Sequence, residues 1–318
     1  MSHDPLRPTT LSEFSGQPDL ERELGIVLAA AKARNELTDH ILFSGPPGLG
    51  KTTLAHICAK ELGLDIVVTS GPAIERPGDV ASLLTGLGNR VLFIDEIHRM
   101  PRQAEELLYP AMEDGRIDLI VGEGVKAKTV TIPLAPFVLI GATTQAGLLS
   151  APLRDRFGFA PRLKLYDAEA LADIVTRTGN LLDVELTGDA AGIIASRSRG
   201  TPRLANRWTR RVRDWAQVSN VDKIDETTAA QALSDFGIDS LGLDALGREI
   251  LSTLCMKFSG GPVGVSTLAA AVGEAVSSLE EVYEPFLMHA GLIARTPRGR
   301  VATADAWEHL GIEVPAGN

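Results

Sequence analysis

The sequence predicts an α/β domain, a parallel sheet flanked by helices, over residues 1–166. An all-α domain follows over 167–240 and a winged-helix domain over 241–318. Three observations predict this. As far as residue 165, short apolar runs alternate with amphipathic stretches, the pattern of buried parallel strands joined by helices. From Asp167 to about Gly237 the apolar spacing is helical throughout. The remainder reads as three helices and then two β-rich runs around a tight, basic turn. A chain of 318 residues with 44% apolar content has material for two or three cores, and aromatics at 5% leave those cores to Leu, Ile, Val and Ala.

The elements follow in order. An arm opens with Leu6-Arg7-Pro8 and reaches Phe14-Ser15-Gly16-Gln17 before a helix over 18–34. Asp19 and Glu21 in its first turn, and Lys32 and Arg34 in its last, suit the helix dipole. Residues 40–43 form a short buried strand, and 53–62 an amphipathic helix stopped by Gly63. A second strand spans 65–70 and a helix 79–84. A third strand, 91–94, ends in Asp95-Glu96. A helix over 101–115 leads into two β-rich runs, 116–121 and 129–132, around a glycine-containing tip at 122–128. This hairpin reads equally as a projecting partner surface and as one packed on its own domain. Residues 137–144 form a fourth buried strand ending in hydroxyls, and 163–165 a strand that closes the sheet.

The second domain holds helices over 168–180, 187–197, 201–218 and 225–236, with Thr201 as an N-cap and Pro202 at the first helical position. Arg207, Arg210, Arg211 and Arg213 read mostly as a solvated face. The third domain has helices over 244–258, 266–272 and 277–290. Its hairpin turn gathers Arg295, Arg298 and Arg300, a charge density that suits phosphate contact, with a plain solvated turn as the lesser alternative.

The chemistry centres on Gly45-Pro46-Pro47-Gly48-Leu49-Gly50-Lys51-Thr52, which fits G-x-x-x-x-G-K-[ST] between a strand and a helix. Such a turn lets successive backbone N–H groups converge on phosphate oxygens, with the positive helix end behind them. Lys51 would reach the β- and γ-phosphates and the Thr52 hydroxyl would ligate Mg²⁺, so the chain is expected to bind a nucleoside triphosphate. Asp95, delivered to the carboxyl edge of the sheet, is placed to hold the Mg²⁺ shell, and Glu96 to orient and deprotonate water. Thr144 is placed to bond the γ-phosphate or that water. An arginine of Pro152-Leu153-Arg154-Asp155-Arg156-Phe157-Gly158 would enter a neighbouring subunit's site. Arg203 is aimed near a helix start.

No apolar run reaches the ~20 residues of a membrane span, and residues 1–5 lack the basic-then-apolar order of a secretory leader. Cys58 and Cys255, far apart and outside any C-x-x-C pair, read as buried reduced thiols of a cytoplasmic protein. A net charge of −10 argues against an indiscriminate nucleic-acid coat but leaves room for a local basic patch.

Together these stretches resemble the AAA+ ATPases and, within them, the RuvB family of Holliday junction branch-migration motors. The resemblance runs from Leu6 to about Gly311. It is carried by the phosphate loop extended through Thr53-Leu54-Ala55-His56, and by Ile94-Asp95-Glu96-Ile97-His98-Arg99 and Gly141-Ala142-Thr143-Thr144. Leu153-Arg154-Asp155-Arg156-Phe157-Gly158, Arg199-Gly200-Thr201-Pro202-Arg203 and Arg295-Thr296-Pro297-Arg298-Gly299-Arg300-Val301-Ala302-Thr303 complete it. It implies a P-loop AAA+ domain with a helical lid, ATP and Mg²⁺ as ligands, and Walker A at Lys51 and Thr52. It further implies Walker B at Asp95 and Glu96, Asp95 acting on the metal through water, with sensor 1 at Thr144 and sensor 2 at Arg203. The arginine finger falls on Arg156, which directly precedes the motif's Phe-Gly, with Arg154 its near rival. Gly45, Pro46, Pro47, Gly48, Leu49, Gly50, Lys51, Thr52 and Thr53 would line the phosphates, and Leu6, Arg7 and Phe14 would lie near the base. The hairpin at 116–132 would dock on RuvA and the winged-helix tip would hold duplex DNA. A homohexameric ring would pump that DNA in recombination and repair, with RuvC as a further associate.

The chain departs from the family pattern at three places. Phe14 stands where tyrosine is usual, Ala275-Val276-Ser277-Ser278 replaces a more charged stretch, and Gly115 stands where a bulkier residue is usual. Two rival readings are a clamp-loader subunit and an ATP-switched DNA-binding adaptor. The first commonly carries a four-cysteine zinc module between the Walker motifs, an interval that here holds only Cys58. The second has no need of Glu96, Thr144, Arg156 and Arg203 all together.

Overall fold

The computed structural model describes residues 5–121 and 128–314. The chain divides into two compact units. The first runs from the N-terminus to Gly45 and from Gly50 to Lys164; the second joins Pro46–Leu49 to everything from Leu165 onward.

The first unit begins with α1 (Pro18–Arg34), whose buried stripe is Leu20, Leu24, Leu28 and Ala31. Its centre is a four-stranded sheet of β1 (Ile41–Ser44), β2 (Ile66–Ser70), β3 (Val91–Asp95) and β6 (Val138–Thr143), in the order β1-β6-β3-β2 and parallel throughout. Residues of β3 and β6 are almost all buried, as near-continuous apolar runs require when helices cover both faces. Helices α2 (Lys51–Glu61) and α3 (Pro77–Thr85) join the first three strands. The predicted helix over 101–115 is two helices, α4 (Arg102–Glu106) and α5 (Leu108–Asp114). Pro110 has no N–H for the carbonyl four residues back, so the helical ladder is interrupted there. Gly115 then caps α5 in the left-handed conformation at φ 64, which accounts physically for a glycine at that position.

The hairpin pairs β4 (Arg116–Val121) with β5 (Lys128–Pro133), Arg116 opposite Pro133 and Val121 opposite Lys128. Its base packs on its own domain, through buried Ile117 and half-buried Leu119 and Ile132, while Val130 faces solvent. The glycine-containing tip lies outside the described residues apart from Lys128. The predicted closing strand at 163–165 is not a strand. Residues 159–163 run beside β1 in isolated parallel bridges, Ile41 with Phe159 and Ser44 with Arg162, because Pro161 cannot donate to a ladder. A short helix, α6 (Ala151–Arg154), capped by Ser150, precedes this segment.

In the second unit, α7 (Ala168–Leu181), α8 (Gly188–Ser196), α9 (Pro202–Val218) and α10 (Glu226–Asp235) follow the predicted helices closely. Asp167, Thr187 and Asp225 cap three of them through side-chain acceptors. Thr201 does not: it occupies the N-cap position of α9, but its hydroxyl donates to the Ser198 carbonyl at 3.2 Å. The segment is also not wholly helical, since β7 (Glu185–Leu186) pairs in parallel with β8 (Lys223–Ile224).

The last domain contains α11 (Ala245–Ser252), α12 (Val265–Val272), α13 (Val276–Ser278) and α14 (Glu284–His289). Its wing is β9 (Ile293–Thr296) and β10 (Gly299–Ala302), followed by α15 (Ala304–Leu310), a helix the sequence pattern did not single out. The expected helix over 277–290 passes through a wide turn at Leu279–Tyr283, because Pro285 removes a ladder donor. The core joins Leu251, Leu254, Cys255, Leu268, Leu287, Ile293 and Trp307.

Candidate functional site

In the first unit the ends of three elements converge. Helix α2 starts immediately after Gly50, whose φ of 101 is a conformation that side chains resist. A Cβ on Gly50 would meet the Phe14 ring at 3.0 Å, so the arm and the loop touch. Phe14 and Leu6 are buried and Arg7 is exposed. Lys51 is buried, and its Nζ donates to the Gly45 carbonyl at 2.6 Å. Thr52 and Thr53 are half-buried in the first turn of α2.

Asp95, the last residue of β3, accepts the Glu96 N–H at 3.0 Å. Burial, then the neighbouring Glu96 charge, holds its carboxyl above the usual carboxylate range against the Glu96 N–H, the Lys51 charge and a hydrogen bond from Thr52. A hydroxyl touching a carboxylate at the strand end is an all-oxygen pair suited to a hard divalent cation that keeps waters and phosphate oxygens as its other ligands. Thr52 and Asp95 would hold Mg²⁺ there.

Glu96 turns the chain away from the sheet at φ 47, a left-handed conformation uncommon outside glycine. Gly71 makes room for that turn: a Cβ on it would lie 2.3 Å from the Glu96 carbonyl oxygen. Because β3 and β6 are neighbours, with Ile94 opposite Gly141, the acid pair and the Thr143-Thr144 hydroxyls lie side by side. The Thr144 N–H and hydroxyl donate to Glu96 Oε2 at 3.4 and 3.1 Å. His98 Nδ1 stands 3.3 Å from the same oxygen and 2.9 Å from Thr143 Oγ1.

Arg156 is held elsewhere in this unit. It donates to the Pro152 carbonyl at 2.7 Å and to Glu113 at 2.6 Å, and lies 5.0 Å over the Tyr109 ring. Arg154 points to solvent. In the second unit, the Arg203 N–H donates to the Gly48 carbonyl at 3.3 Å, and the Tyr166 hydroxyl to that of Leu49 at 3.3 Å. Exposed Arg203 lines a cavity of about 240 Å³ with Pro46, Pro47, Gly48, Arg199 and Asp244.

The wing divides its three arginines. Arg295 and Arg298 are exposed. Arg300 is buried and is not part of a solvated tip: its Nε bonds Glu284, and its Nη2 reaches Glu284 at 3.1 Å and Glu280 at 3.0 Å. Sequence reasoning missed these two carboxylates, as it missed His98, Tyr109 and Glu113. All lie in helices or turns where their charge or polarity reads as ordinary surface.

A glycine-rich loop opening α2, an acid pair ending β3, hydroxyls ending β6 and a helical domain with an arginine against the loop backbone define a AAA+ P-loop ATPase. Three family models match in sequence: the Holliday junction DNA helicase RuvB P-loop domain at 6–163, the RuvB AAA lid domain at 166–239 and the RuvB C-terminal winged helix domain at 240–311. The chain belongs to the RuvB family. It is 56% identical over 313 residues to the Holliday junction branch migration complex subunit RuvB of Corynebacterium jeikeium, covering 98% of this chain and 88% of that protein. The protein of the same name from Mycobacterium marinum is 56% identical, with 98% and 91% covered. The structure of the Thermotoga maritima RuvB Holliday junction branch migration motor superimposes with a TM-score of 0.91 at 48% identity, covering 98% of this chain and 100% of that one.

Proposed function

We propose that this chain is the ATP-driven subunit of a branch-migration motor, acting on Holliday junctions as a hexameric ring together with RuvA in recombination and repair, in the cytoplasm. The observation that carries it is the unbroken series of ATPase, lid and winged-helix domains, all of one family, ending in a turn that exposes Arg295 and Arg298. In this reading Lys51 and Arg203 neutralise phosphate charge, and Gly45–Thr53 supply the cradle. Thr52 and Asp95 hold Mg²⁺, which neutralises developing phosphate charge when bound. Glu96 orients and deprotonates the attacking water, Thr144 fixes the position of Glu96, and Arg156 acts on the nucleotide of a neighbouring subunit. Leu6, Arg7 and Phe14 lie toward the base. The hairpin of β4 and β5 is the RuvA surface, with Val130 an exposed apolar residue on it, and RuvC is a further associate. Duplex DNA is gripped by Arg295 and Arg298. Arg300, with its charge taken up by two carboxylates, supports the wing rather than the phosphates.

The test is ATP-driven separation of a labelled synthetic four-way junction with and without RuvA, comparing the native chain with Glu96→Gln. Separation that needs ATP, is strengthened by RuvA and is lost in the variant is expected. ATP hydrolysis with no junction separation, even with RuvA and Mg²⁺, would overturn the substrate assignment and leave the ATPase intact.

A further inference from the structure

We infer that His98 is a positioning residue for ATP hydrolysis, setting the direction of the Glu96 carboxylate by tying it to the end of β6. The inference rests on Glu96 being the group that acts on water. Three contacts converge on one oxygen, Glu96 Oε2: the Thr144 N–H, the Thr144 hydroxyl and His98 Nδ1, at 3.4, 3.1 and 3.3 Å. The other carboxylate oxygen is thereby turned in a fixed direction. Two of the three contacts come from Thr144, the residue that directly follows β6. The third comes from His98 in the turn that follows β3, whose ring nitrogen also lies against the Thr143 hydroxyl at the end of β6.

His98 is well placed for this. Its side chain is 4% exposed, so the imidazole does not wander. Its Nδ1 is shared with Thr143 Oγ1 at 2.9 Å, and Thr143 is itself fully buried and accepts the Gln145 N–H at 3.0 Å. A chain of contacts thus runs from the Gln145 backbone through Thr143 and His98 to Glu96. Glutamate has three side-chain torsions with about three staggered wells each, or a broad well at the last. Releasing one of two independent anchors spreads the carboxylate over several of these, and misplacement of a reacting group by about 1 Å costs on the order of a hundredfold. Loss of His98 is therefore expected to lower kcat by about ten- to a hundredfold while leaving nucleotide binding alone, because neither Lys51 nor the loop backbone is touched.

The test uses the full chain with duplex DNA and Mg²⁺-ATP, comparing His98→Ala, His98→Asn, Glu96→Gln and the double variant His98→Ala/Glu96→Gln. Asparagine keeps a donor where Nδ1 stands. The expected result is a kcat lowered about ten- to a hundredfold in His98→Ala, with KM and nucleotide Kd within about twofold of native. His98→Asn should recover most of the rate, and in the Glu96→Gln background His98→Ala should add less than about twofold. An unchanged kcat in His98→Ala, with Glu96→Gln inactive, overturns the inference alone. So does a loss that follows the melting temperature and is not restored by His98→Asn. Full turnover in Glu96→Gln would instead overturn the role of Glu96 on which it rests.

Discussion

Replacing Arg300 by Met tests whether the wing is built around a buried ion cluster. The guanidinium is 7% exposed and Glu284 8%, and the two share a forked pair of hydrogen bonds, a geometry worth roughly twice an ordinary one. Glu280, 34% exposed, sits near enough to solvent for its share to fall to that of a surface pair, on the order of 0–1 kcal/mol. Removing Arg300 leaves the Glu284 charge buried without compensation, at a cost of about 3–5 kcal/mol. Native-state hydrogen exchange over residues 245–310 should report it, with protection of the last domain lowered and that of the ATPase sheet unchanged. Arg300→Met combined with Glu284→Met should recover most of the loss, since a well-packed apolar pair of similar volume commonly substitutes for a buried ion pair. Arg298→Ala should do the opposite: no loss of protection, weaker duplex binding, and a salt dependence shallower by about one unit of slope. The reasoning is refuted if Arg300→Met leaves protection intact and weakens DNA binding as much as Arg298→Ala does.

Two further outcomes are expected. Burial pushes the Cys58 thiol up to about 12 and the Cys255 thiol to about 11, from an ordinary 9.0. The native chain should therefore resist a thiol-disulfide reagent at pH 8. Both shifts favour the protonated, folded form, so the thiols' contribution to stability is flat below about pH 8 and is lost between about 9 and 12 as the unfolded chain ionises first. Cys58→Ala should flatten that fall, and rapid stoichiometric labelling of the native chain would contradict the burial. Separately, Arg156→Ala should still bind ATP yet hydrolyse it poorly, and mixing it with Lys51→Ala should restore part of the activity at mixed interfaces. A mixture no better than either parent counts against action in trans.

Much was legible in the chain itself, because short-range rules decide it. The strand before the phosphate loop, the acid pair after an apolar run and the helices of the second domain all follow from local periodicity, caps and glycine placement. Where prolines interrupt hydrogen-bond ladders, at Pro110, Pro161 and Pro285, the pattern ran on through a break that the backbone makes. The functional pairings were not legible, because they depend on which strands become neighbours. Glu96 meets Thr144, 48 residues away in sequence, only because β6 inserts between β1 and β3. Arg156 meets Glu113, 43 residues away, through the packing of α5 beside α6. Arg295, Arg298 and Arg300 look alike in the sequence, three arginines on one tight turn. Arg295 and Arg300 stand opposite each other in the hairpin and so share a face, yet only Arg300 is taken up by Glu284 and Glu280 while Arg295 and Arg298 are left to solvent, since only the tertiary structure decides which part of a strand face its neighbours will cover.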